Sequence, residues 1–313
     1  MFANRVLDFF LVSQDQGLKD LMVTFWQQEV HWSFFRKGKE AIEEIYSSPP
    51  DLLLVDEVLQ DIRGLEVVRL VKSENVYRQV PTVICLQNKI PVEVYSSVQF
   101  ELDDFLLRPI NSQEAQARLT LAWYRSTRAL DANPLSKLPG NTSIIHRIQD
   151  LINAKQDFAL GYVDLDNFKA FNDKYGFSRG DEVLMMTSRV IVNTVRRIAD
   201  LQGFVGHVGG DDFVFIVPVQ QAEGVCKQII QNFESIVPNF YDPEDRSQGY
   251  ISSVDRQGRE CEFPFMAVSI AVVYNLKGSL THYAQASQIA NSLKKKAKQD
   301  PGSSYVLDRR GST

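Results

Sequence analysis

The sequence predicts an α/β protein of two domains, and its length and the order of its apolar patterns support that prediction. The chain has 313 residues, whereas a single domain usually holds roughly 100–200. In its first part, short apolar runs alternate with stretches that carry apolar residues at helical spacing, which is typical of a doubly wound parallel sheet. A second α/β pattern begins near residue 158. We place the domains at residues 1–125 and 126–313, with a helical linker at about 112–133.

In the first domain, the predicted strands are the buried apolar runs VLDFFLV, DLLLVD, PTVICL and DDFLLRP. The predicted helices are GLKDLMVTFWQQ, GKEAIEEIYSS and GLEVVRLVKSE, whose apolar residues recur at helical spacing. Parallel sheets of this kind place their chemistry at the carboxyl ends of the strands. Asp56, the last residue of DLLLVD, lies at such an end.

A helix is predicted where the two domains join. Leu119, Trp123 and Leu130 recur at helical spacing, and Pro134 ends the helix. Two interpretations of Trp123 and its neighbour Tyr124 stay open. They form an exposed seam between the helices of a dimer, or they pack against the first domain.

The second domain opens with a strand over Phe158–Val163, followed by a turn rich in acidic and amide residues. Asp164 and Asp166 alternate at the strand end, so we expect their side chains on opposite faces, one towards a ligand and one bracing the turn. A long helix is expected from about Asp181 to Ile198. Acidic residues are common at helix starts for capping reasons alone, so a purely structural role stays open.

The segment HVGGDDFVFIV, residues 207–217, is predicted to form a hairpin in which FVGHV and FVFIV pair as antiparallel strands. Gly209 and Gly210 suit the turn and leave the backbone open to a flat or phosphorylated ligand. Carboxylates beside this turn, facing Asp164 from a neighbouring strand, would form an oxygen-only site for a divalent cation. The residues alone leave two equal alternatives, this metal site and a turn whose acidic residues have only a structural role.

Composition and charge argue against several classes of protein. The chain is 44% hydrophobic and 23% charged with a net charge of −5 and no single-sign tail, so neither nucleic acid nor an anionic membrane is an expected partner. No apolar run approaches the ~20 residues of a membrane span, and the first residues lack a signal-peptide pattern. The three cysteines are expected to be reduced thiols, and the expected location is the cytoplasm.

The stretch PDLLLVDEVLQDIRGLEVVRLVK resembles the phosphoacceptor region of response-regulator receiver domains, and DDFLLRP resembles their last strand and the turn after it. The resemblance covers roughly the first 125 residues and places Asp56 at the phosphoacceptor position. Receivers hold magnesium with an acidic pair after the first strand. Here that position carries Ser13 and Gln14, with Asp15 nearby.

Two further receiver positions are changed, because Leu86 and Arg108 stand where the family has a hydroxyl residue and a lysine. A hard divalent cation prefers several carboxylate oxygens, so the loss of two acidic positions weakens its site. We therefore interpret the first domain as a degenerate receiver that serves dimerisation or the docking of a signalling protein. Phosphorylation of Asp56 is the alternative.

DLDNFKAFNDKYGFSRGDEVL followed by HVGGDDF resembles the GGDEF domain of diguanylate cyclases, and DANPLSKLPGN matches the motif with which that domain begins. The resemblance spans about residues 131–306 and implies an α/β fold related to nucleotide-cyclase palms. It also implies that two GTP molecules, each held by one subunit of a homodimer, condense to cyclic di-GMP. The implied cofactor is Mg²⁺ or Mn²⁺.

The resemblance assigns metal, substrate and catalytic roles to individual residues. The implied metal ligands are Asp164, Asp211 and the carbonyl of Leu165. The implied substrate residues, with Asn172 and Asp181 recognising guanine, are Phe168, Lys169, Asn172, Asp181, Gly209, Gly210 and Lys298. The implied catalytic residues are Asp211, Asp212 and Lys169, with Asp212 linked to metal binding and to activation of the ribose 3′-hydroxyl.

The hairpin departs from the family pattern at two positions. Asp212 stands where the family usually has glutamate, which shortens the reach of the carboxylate by one methylene. His207 stands where an arginine is usual, and a buried structural histidine is the alternative to a catalytic role.

Two other family sites are also altered. The family's inhibitory product site would fall at Asp200 and Gly203, whereas Arg197 and Asp200 have its internal spacing three residues too early. Near the end, Ser303 replaces a glycine–arginine pair that contacts phosphate. The lysine run at 294–296 could substitute, although such a run is more often a solvated helix face.

Three functions remain in competition at this point. The leading hypothesis is an active diguanylate cyclase. The alternative is a catalytically weak or inactive GGDEF module that binds GTP or cyclic di-GMP and signals through a protein partner, as favoured by Asp212 and the degenerate receiver. The third is a silent scaffold for protein interaction.

Overall fold

The structure, a computed structural model, describes residues 6–25, 30–74, 76–87, 102–254, 260–299 and 302–308. The chain divides into two compact units, unit 1 at Met1–Leu130 and unit 2 at Asp131–Thr313. Within the described residues, no helix combines the length and the apolar character needed to cross a membrane. The three cysteines carry free thiols.

Unit 1 alternates strands and helices along the chain. Its elements are β1 (Leu7–Val12), α1 (Gln16–Val23), β2 (Val30–Phe35), α2 (Gly38–Ser47), β3 (Leu52–Asp56), α3 (Gly64–Ser73), β4 (Thr82–Leu86), β5 (Asp104–Leu107) and α4 (Ser112–Asp131), which ends at the first residue of unit 2. The described strands pair in parallel in the order β2-β1-β3-β4-β5. Helices α1 and α4 cover one face, and α2 and α3 the other. The predicted doubly wound parallel sheet is therefore confirmed.

Burial along the strands follows their place in the sheet. The central strands β3 and β4 are buried at every position, as expected for strands covered on both faces. The strand β2, VHWSFF, was not among the predicted strands, because it is an edge strand in which only Val30 is buried. In α4, Trp123 packs against the core of its own unit, whereas Tyr124 is exposed.

Unit 2 is built around a mixed sheet. Its elements are α5 (Asn141–Asn153), β6 (Phe158–Asp166), α6 (Phe168–Tyr175), α7 (Phe177–Ala199), β7 (Phe204–Gly209), β8 (Asp212–Val217), α8 (Ala222–Ile236), α9 (Pro243–Gln248), β9 (Tyr250–Val254), β10 (Glu260–Pro264), β11 (Ala267–Asn275), α10 (Tyr283–Ala297) and β12 (Ser304–Leu307). The order of the described strands is β12-β11-β6-β8-β7, with β9 and β10 as a separate pair. Residues 255–259, between β9 and β10, lie outside the described residues.

Two predicted boundaries in unit 2 are wrong. The first strand does not end at Val163, because β6 continues to Asp166 while pairing with β11 along its whole length. The long helix begins at Phe177, four residues earlier than predicted. The acidic residues near these boundaries therefore lie inside regular elements, where the position of each side chain is set by strand or helix geometry.

The segment before α5 is held by one carboxylate. Asp131 accepts backbone hydrogen bonds from Gly140 at 3.1 Å, Thr142 at 2.7 Å and Ser143 at 3.0 Å. These bonds satisfy amide groups at the start of α5 that have no partner within the helix. The carbonyl of Pro139 then accepts a hydrogen bond from the His207 amide at 2.9 Å. This segment therefore fixes β7, the strand that leads into the glycine turn.

Candidate active site

The glycine-rich segment forms the predicted antiparallel hairpin of β7 and β8. Gly209 pairs with Asp212, so Gly210 and Asp211 make the turn. Both glycines have positive φ angles, 147° and 57°, which side chains adopt only with strain. On the other side of β8, Asp212 is the register partner of Asp164 in β6. Residues directly opposite each other on neighbouring strands place their side chains side by side, so these two carboxylates form the centre of the site.

Asp164 and Asp166 lie on the same face of the sheet, which corrects the prediction of opposite faces. Side chains two residues apart in a strand point the same way, and only successive ones alternate. Lys298 contacts both carboxylates, Asp164 through Oδ2 and Asp166 through Oδ1 at 3.2 Å. Ser269, from β11, donates its hydroxyl to Asp166 Oδ2. Asp166 therefore braces Lys298 within the site.

Lys294 is a second cation in this cluster, so one residue of the lysine run does not belong to the solvated face that such a run usually forms. Its Nζ lies 3.0 Å from Asp164 Oδ1 and also contacts Asp212 Oδ1. Lys295 and Lys296 are exposed. Ala290, Lys294 and Lys298 are four residues apart on α10 and share one face of the helix, so both lysines reach the strand ends.

The charges in the cluster shift several pKa values. Burial raises the pKa of Asp164, but the hydrogen bond from Lys298 and the charge of Lys294 outweigh it, so the pKa lies below its ordinary value. Burial lowers the pKa of Lys294, and the contacts with Asp212 and Asp164 outweigh that effect, so its pKa is raised. The pKa of Lys298 is raised in the same way, because burial lowers it and the contact with Asp164 outweighs that effect. These two lysines are therefore ammonium groups at neutral pH.

Asp211, at the turn, is the least compensated carboxyl group of the site. Burial and the nearby charge of Asp164 raise its pKa. Among the described residues, no ion pair reaches Asp211. A cation placed between Asp211 and Asp164 would relieve this repulsion.

The donor set suits a hard divalent cation, although it is incomplete. Asp164, Asp211 and the carbonyl of Leu165 at the end of β6 offer oxygen atoms only. Within the described part of the chain, no group of three or more acidic, histidine or cysteine side chains is arranged as a metal site. A hard divalent cation can be held by one or two carboxylates when waters and substrate phosphates complete its shell.

Helices α6 and α7 meet at a tight polar contact. Asn172 packs against Gly180, where a Cβ atom would overlap its Oδ1. Within the described residues, this Oδ1 is buried and accepts no hydrogen bond. Asp181 follows Gly180 directly and is exposed. The two residues predicted to recognise guanine thus lie close to this contact, with the Asn172 Oδ1 buried in it and Asp181 exposed beside it.

The other predicted residues lie on the helices that follow. Phe168 is buried and begins α6, next to Asn167, which has a positive φ of 62°. Lys169 is exposed in the first turn of α6. Arg197 and Asp200 are both exposed at the end of α7, where no described contact joins them to the acidic cluster.

His207 is a buried histidine with both ring nitrogens bonded. It is 2% exposed and stacks on Phe213 at 4.1 Å between ring centroids. Its Nε2 lies 2.9 Å from the Gly210 carbonyl, which only accepts, so Nε2 carries the proton and Nδ1 accepts from the Ser136 hydroxyl at 2.9 Å. Burial lowers the pKa of His207, which keeps the ring neutral. His207 therefore ties the glycine turn to the segment before α5.

A second acidic cluster lies at the carboxyl ends of the unit 1 strands. Arg108 donates to Asp15 through Nη1 and to Asp56 Oδ2 through Nη2, the latter at 2.8 Å. The Ser13 hydroxyl also donates to Asp56 Oδ2, at 2.7 Å. Asp56 is 5% exposed, and its Oδ1 has no described partner. The guanidinium therefore bridges the predicted acceptor and the one acidic residue kept near β1.

Sequence comparisons give the same two units. A response regulator receiver domain matches residues 10–120, and the family described as diguanylate cyclase, GGDEF domain matches residues 132–252. Response regulator PleD from Caulobacter vibrioides is 27% identical over 187 residues, 54% of this chain and 40% of PleD. Diguanylate cyclase DgcP from Pseudomonas aeruginosa is 26% identical over 138 residues, 42% of this chain and 20% of DgcP. The chain thus spans less than half the length of these curated relatives.

Solved structures include similar domains. The coiled coil and GGDEF domain of DgcB from Caulobacter crescentus, in complex with c-di-GMP, is 18% identical with a TM-score of 0.43, covering 62% of this chain and 95% of that one. The fold and the two acidic clusters define a two-domain α/β protein. The chain contains a response regulator receiver domain at residues 10–120, followed by a GGDEF domain at residues 132–252.

Proposed function

We propose that unit 2 is a diguanylate cyclase domain, which condenses two GTP molecules into cyclic di-GMP and two pyrophosphates. The observation that carries the proposal is the meeting of Asp164, Asp211 and Asp212 with two ammonium groups beside an open glycine turn. Each 3′-oxygen forms a bond to the α-phosphorus of the other GTP as the bond to the pyrophosphate breaks. Such a reaction needs charge neutralisation and alignment more than covalent chemistry.

The carboxylates of Asp164 and Asp211 and the Leu165 carbonyl would hold Mg²⁺ or Mn²⁺. Such an ion supplies charge neutralisation at the phosphates and lowers the pKa of the attacking hydroxyl. The raised pKa of Asp211, caused by burial and by Asp164, supports this assignment because a bound cation reverses that repulsion.

The triphosphate would lie along the start of α6 and the glycine turn. Lys169 and Lys298 supply ammonium groups, and the first amides of α6 point towards the same end of β6. A Cβ atom added at Gly209 or Gly210 would meet no other atom within 4 Å, so the space over the turn is open. A phosphate group can therefore approach the backbone closely.

Guanine would be recognised in a slot that opens where Asn172 of α6 meets the start of α7. The free Oδ1 of Asn172 can accept from the exocyclic amine, and the Asp181 carboxylate can accept from N1–H and the same amine. Adenine offers no matching pair of donors, so this slot favours GTP over ATP.

A homodimer follows from the chemistry. One site binds one GTP, whereas each product needs two nucleotides face to face. The proposal therefore includes two copies of unit 2, each supplying one nucleotide and one set of ligands.

Incubating the purified full chain with GTP and Mg²⁺ or Mn²⁺ tests the proposal, with cyclic di-GMP measured by chromatography. The expected product forms at a rate that rises more than linearly with chain concentration, and ATP gives none. Asp211→Asn should abolish it, whereas Asp150→Asn, an exposed carboxylate on α5, should not. No product at high chain concentration would refute the cyclase.

A second candidate is a GGDEF module that binds GTP or cyclic di-GMP and signals through a protein partner. The observation that favours it is the contact of Lys294 with both Asp164 and Asp212, which occupies one oxygen of each carboxylate. Titration calorimetry with each nucleotide separates the candidates, since a receptor binds without forming product. If neither nucleotide binds, the third hypothesis remains, a silent scaffold for protein interaction.

Product binding at Arg197 and Asp200 is a weaker extension of the proposal. Both side chains are exposed, Arg197 in the last turn of α7 and Asp200 directly after its end. Arg197→Ala should weaken cyclic di-GMP binding in titration calorimetry if they form the inhibitory site. Equal affinities would end this suggestion.

For unit 1, we propose a receiver that works without phosphorylation and serves dimerisation or partner docking. Its support is the Arg108 guanidinium on both Asp15 and Asp56, where a receiver would need a cation and space for phosphate. Acetyl phosphate with Mg²⁺ should leave Asp56 unlabelled in intact-mass spectra. A stable aspartyl-phosphate on Asp56 would contradict this interpretation.

A further inference from the structure

We propose that the ammonium group of Lys294 stays in the acidic site when a divalent cation binds. Lys294 remains paired with Asp212, so the site offers one position for a divalent cation, between Asp164 and Asp211. The inference rests on the proposed function because it concerns the metal of that site. It changes the role expected for Asp212, from a metal-binding residue to the anchor of a lysine.

The contacts of the two lysines divide the carboxylate oxygens unequally. Lys294 takes Asp164 Oδ1 and Asp212 Oδ1, while Lys298 takes Asp164 Oδ2 and Asp166 Oδ1. Four carboxyl groups thus face two ammonium groups, and Asp211 is the one without a described ion pair. The excess negative charge of the cluster is therefore concentrated at Asp211.

Burial strengthens the hold of Lys294. Its side chain is 16% exposed, whereas the side chain of Lys298 is 44% exposed. A pair of charges in a partly buried site attracts more strongly and is screened less by salt than one at the surface. The Asp164 side chain is 11% exposed in both of its pairs, so an entering divalent cation displaces the exposed Lys298 from Asp164 more easily than it displaces the less exposed Lys294 from the same carboxylate.

The position of Lys294 on α10 is fixed by packing. Leu293 and Ala297, on either side of it, are buried against the sheet, and Ala290 one turn earlier is fully covered. These contacts set the rotation of the helix and point Lys294 at the ends of β6 and β8. Lys294 is therefore built into the site, whereas the adjacent Lys295 extends into solvent.

Mn²⁺ binding to the full chain, without nucleotide, tests the inference through the electron paramagnetic resonance signal of free Mn²⁺. The wild-type chain should bind one Mn²⁺ that Asp211→Asn abolishes. Lys294→Met removes the charge at nearly constant length. It should tighten Mn²⁺ binding about tenfold, or 1.4 kcal/mol, and add a second position that Asp212→Asn removes.

Lys295→Met is the matched control on the exposed neighbour and should bind Mn²⁺ as the wild type does. If Lys294→Met does not fold by circular dichroism, Lys294→Gln gives the same comparison. Equal Mn²⁺ binding in the Lys294 and Lys295 variants would overturn the inference. So would a wild-type chain that binds two Mn²⁺ ions, if Asp212→Asn removes one of them. Because product formation is not measured, an inactive chain with the expected Mn²⁺ pattern would refute only the cyclase.

Discussion

Arg108→Met is predicted to destabilise unit 1, because it removes the only described cation from a buried carboxylate. The Asp56 side chain is 8% exposed and that of Arg108 is 25% exposed, so this pair counts as buried. Breaking a buried pair by removing one partner costs roughly 3–5 kcal/mol, since the remaining charge is left uncompensated. Asp56 keeps its hydrogen bond from Ser13, and the pair with Asp15 is 35% exposed on the acid side. We therefore expect a loss at the low end, about 3 kcal/mol.

Urea unfolding followed by tryptophan fluorescence measures this loss selectively. The three tryptophans all lie in unit 1, at positions Trp26, Trp32 and Trp123. A slope of about 2 kcal/mol per molar urea converts the loss into a midpoint about 1.5 M lower. Arg69→Met, at an exposed arginine of α3, is the control and should change stability by less than about 0.5 kcal/mol.

Two outcomes would refute this reasoning. The first is an unchanged midpoint in Arg108→Met. The second is a double variant, Arg108→Met with Asp56→Asn, that is less stable than the single one, since removing the buried charge should restore stability. The pH dependence gives a further check, because the hydrogen bond from Arg108 holds the pKa of Asp15 below its ordinary 3.8. The Asp15 part of the stabilisation is therefore present above pH 3.8 and is lost as the pH falls below it.

Three further predictions concern unit 2. Asp212→Glu should raise the rate of cyclic di-GMP formation severalfold if the short carboxylate limits catalysis, and an unchanged or lower rate in the turnover assay would exclude that cause. Gly180→Ala should raise the Kd for GTP at least about tenfold by displacing Asn172, whereas Gly224→Ala, with open space around it, should not, as titration calorimetry can show. Because burial keeps the pKa of His207 below 6.5, the unfolded state binds more protons there, so unit 2 should lose stability as the pH falls below 6.5. His207→Gln should flatten that slope in urea unfolding followed by circular dichroism.

Much of the fold follows from local patterns in the sequence. Runs such as Leu52–Asp56 are continuous and apolar because central parallel strands are covered on both faces. The edge strand Val30–Phe35 lacks that signal, since one buried residue is enough to anchor it. The extra length of β6 could not be predicted from Phe158–Val163 either, because its last residues are acidic and are kept in the strand by pairing with β11.

The residues of the candidate active site could be predicted from the sequence, but the side chains that contact them could not. Asp164, Asp211 and Asp212 were identified from the turn and from the family motif, and the hairpin brings them to one end of the sheet. Lys294 stands in a run of three lysines, and only the packing of α10 decides which of them turns inward. The bond pattern of His207 needed the fold as well, because Ser136 lies 71 residues away in the chain.

The two acidic clusters are built alike, but they differ in one respect that bears on the proposed roles of the units. Each places a basic side chain across two carboxylates, Arg108 in unit 1 and Lys294 in unit 2. In unit 1, the guanidinium contacts both Asp15 and Asp56, and the Ser13 hydroxyl also donates to Asp56, so each of these carboxylates already has a cationic partner. In unit 2, Asp211 is left with a raised pKa, caused by burial and by Asp164, and with no described ion pair. Uncompensated charge at an open glycine turn attracts a cation, which is why the proposed metal site lies in unit 2 and not in unit 1.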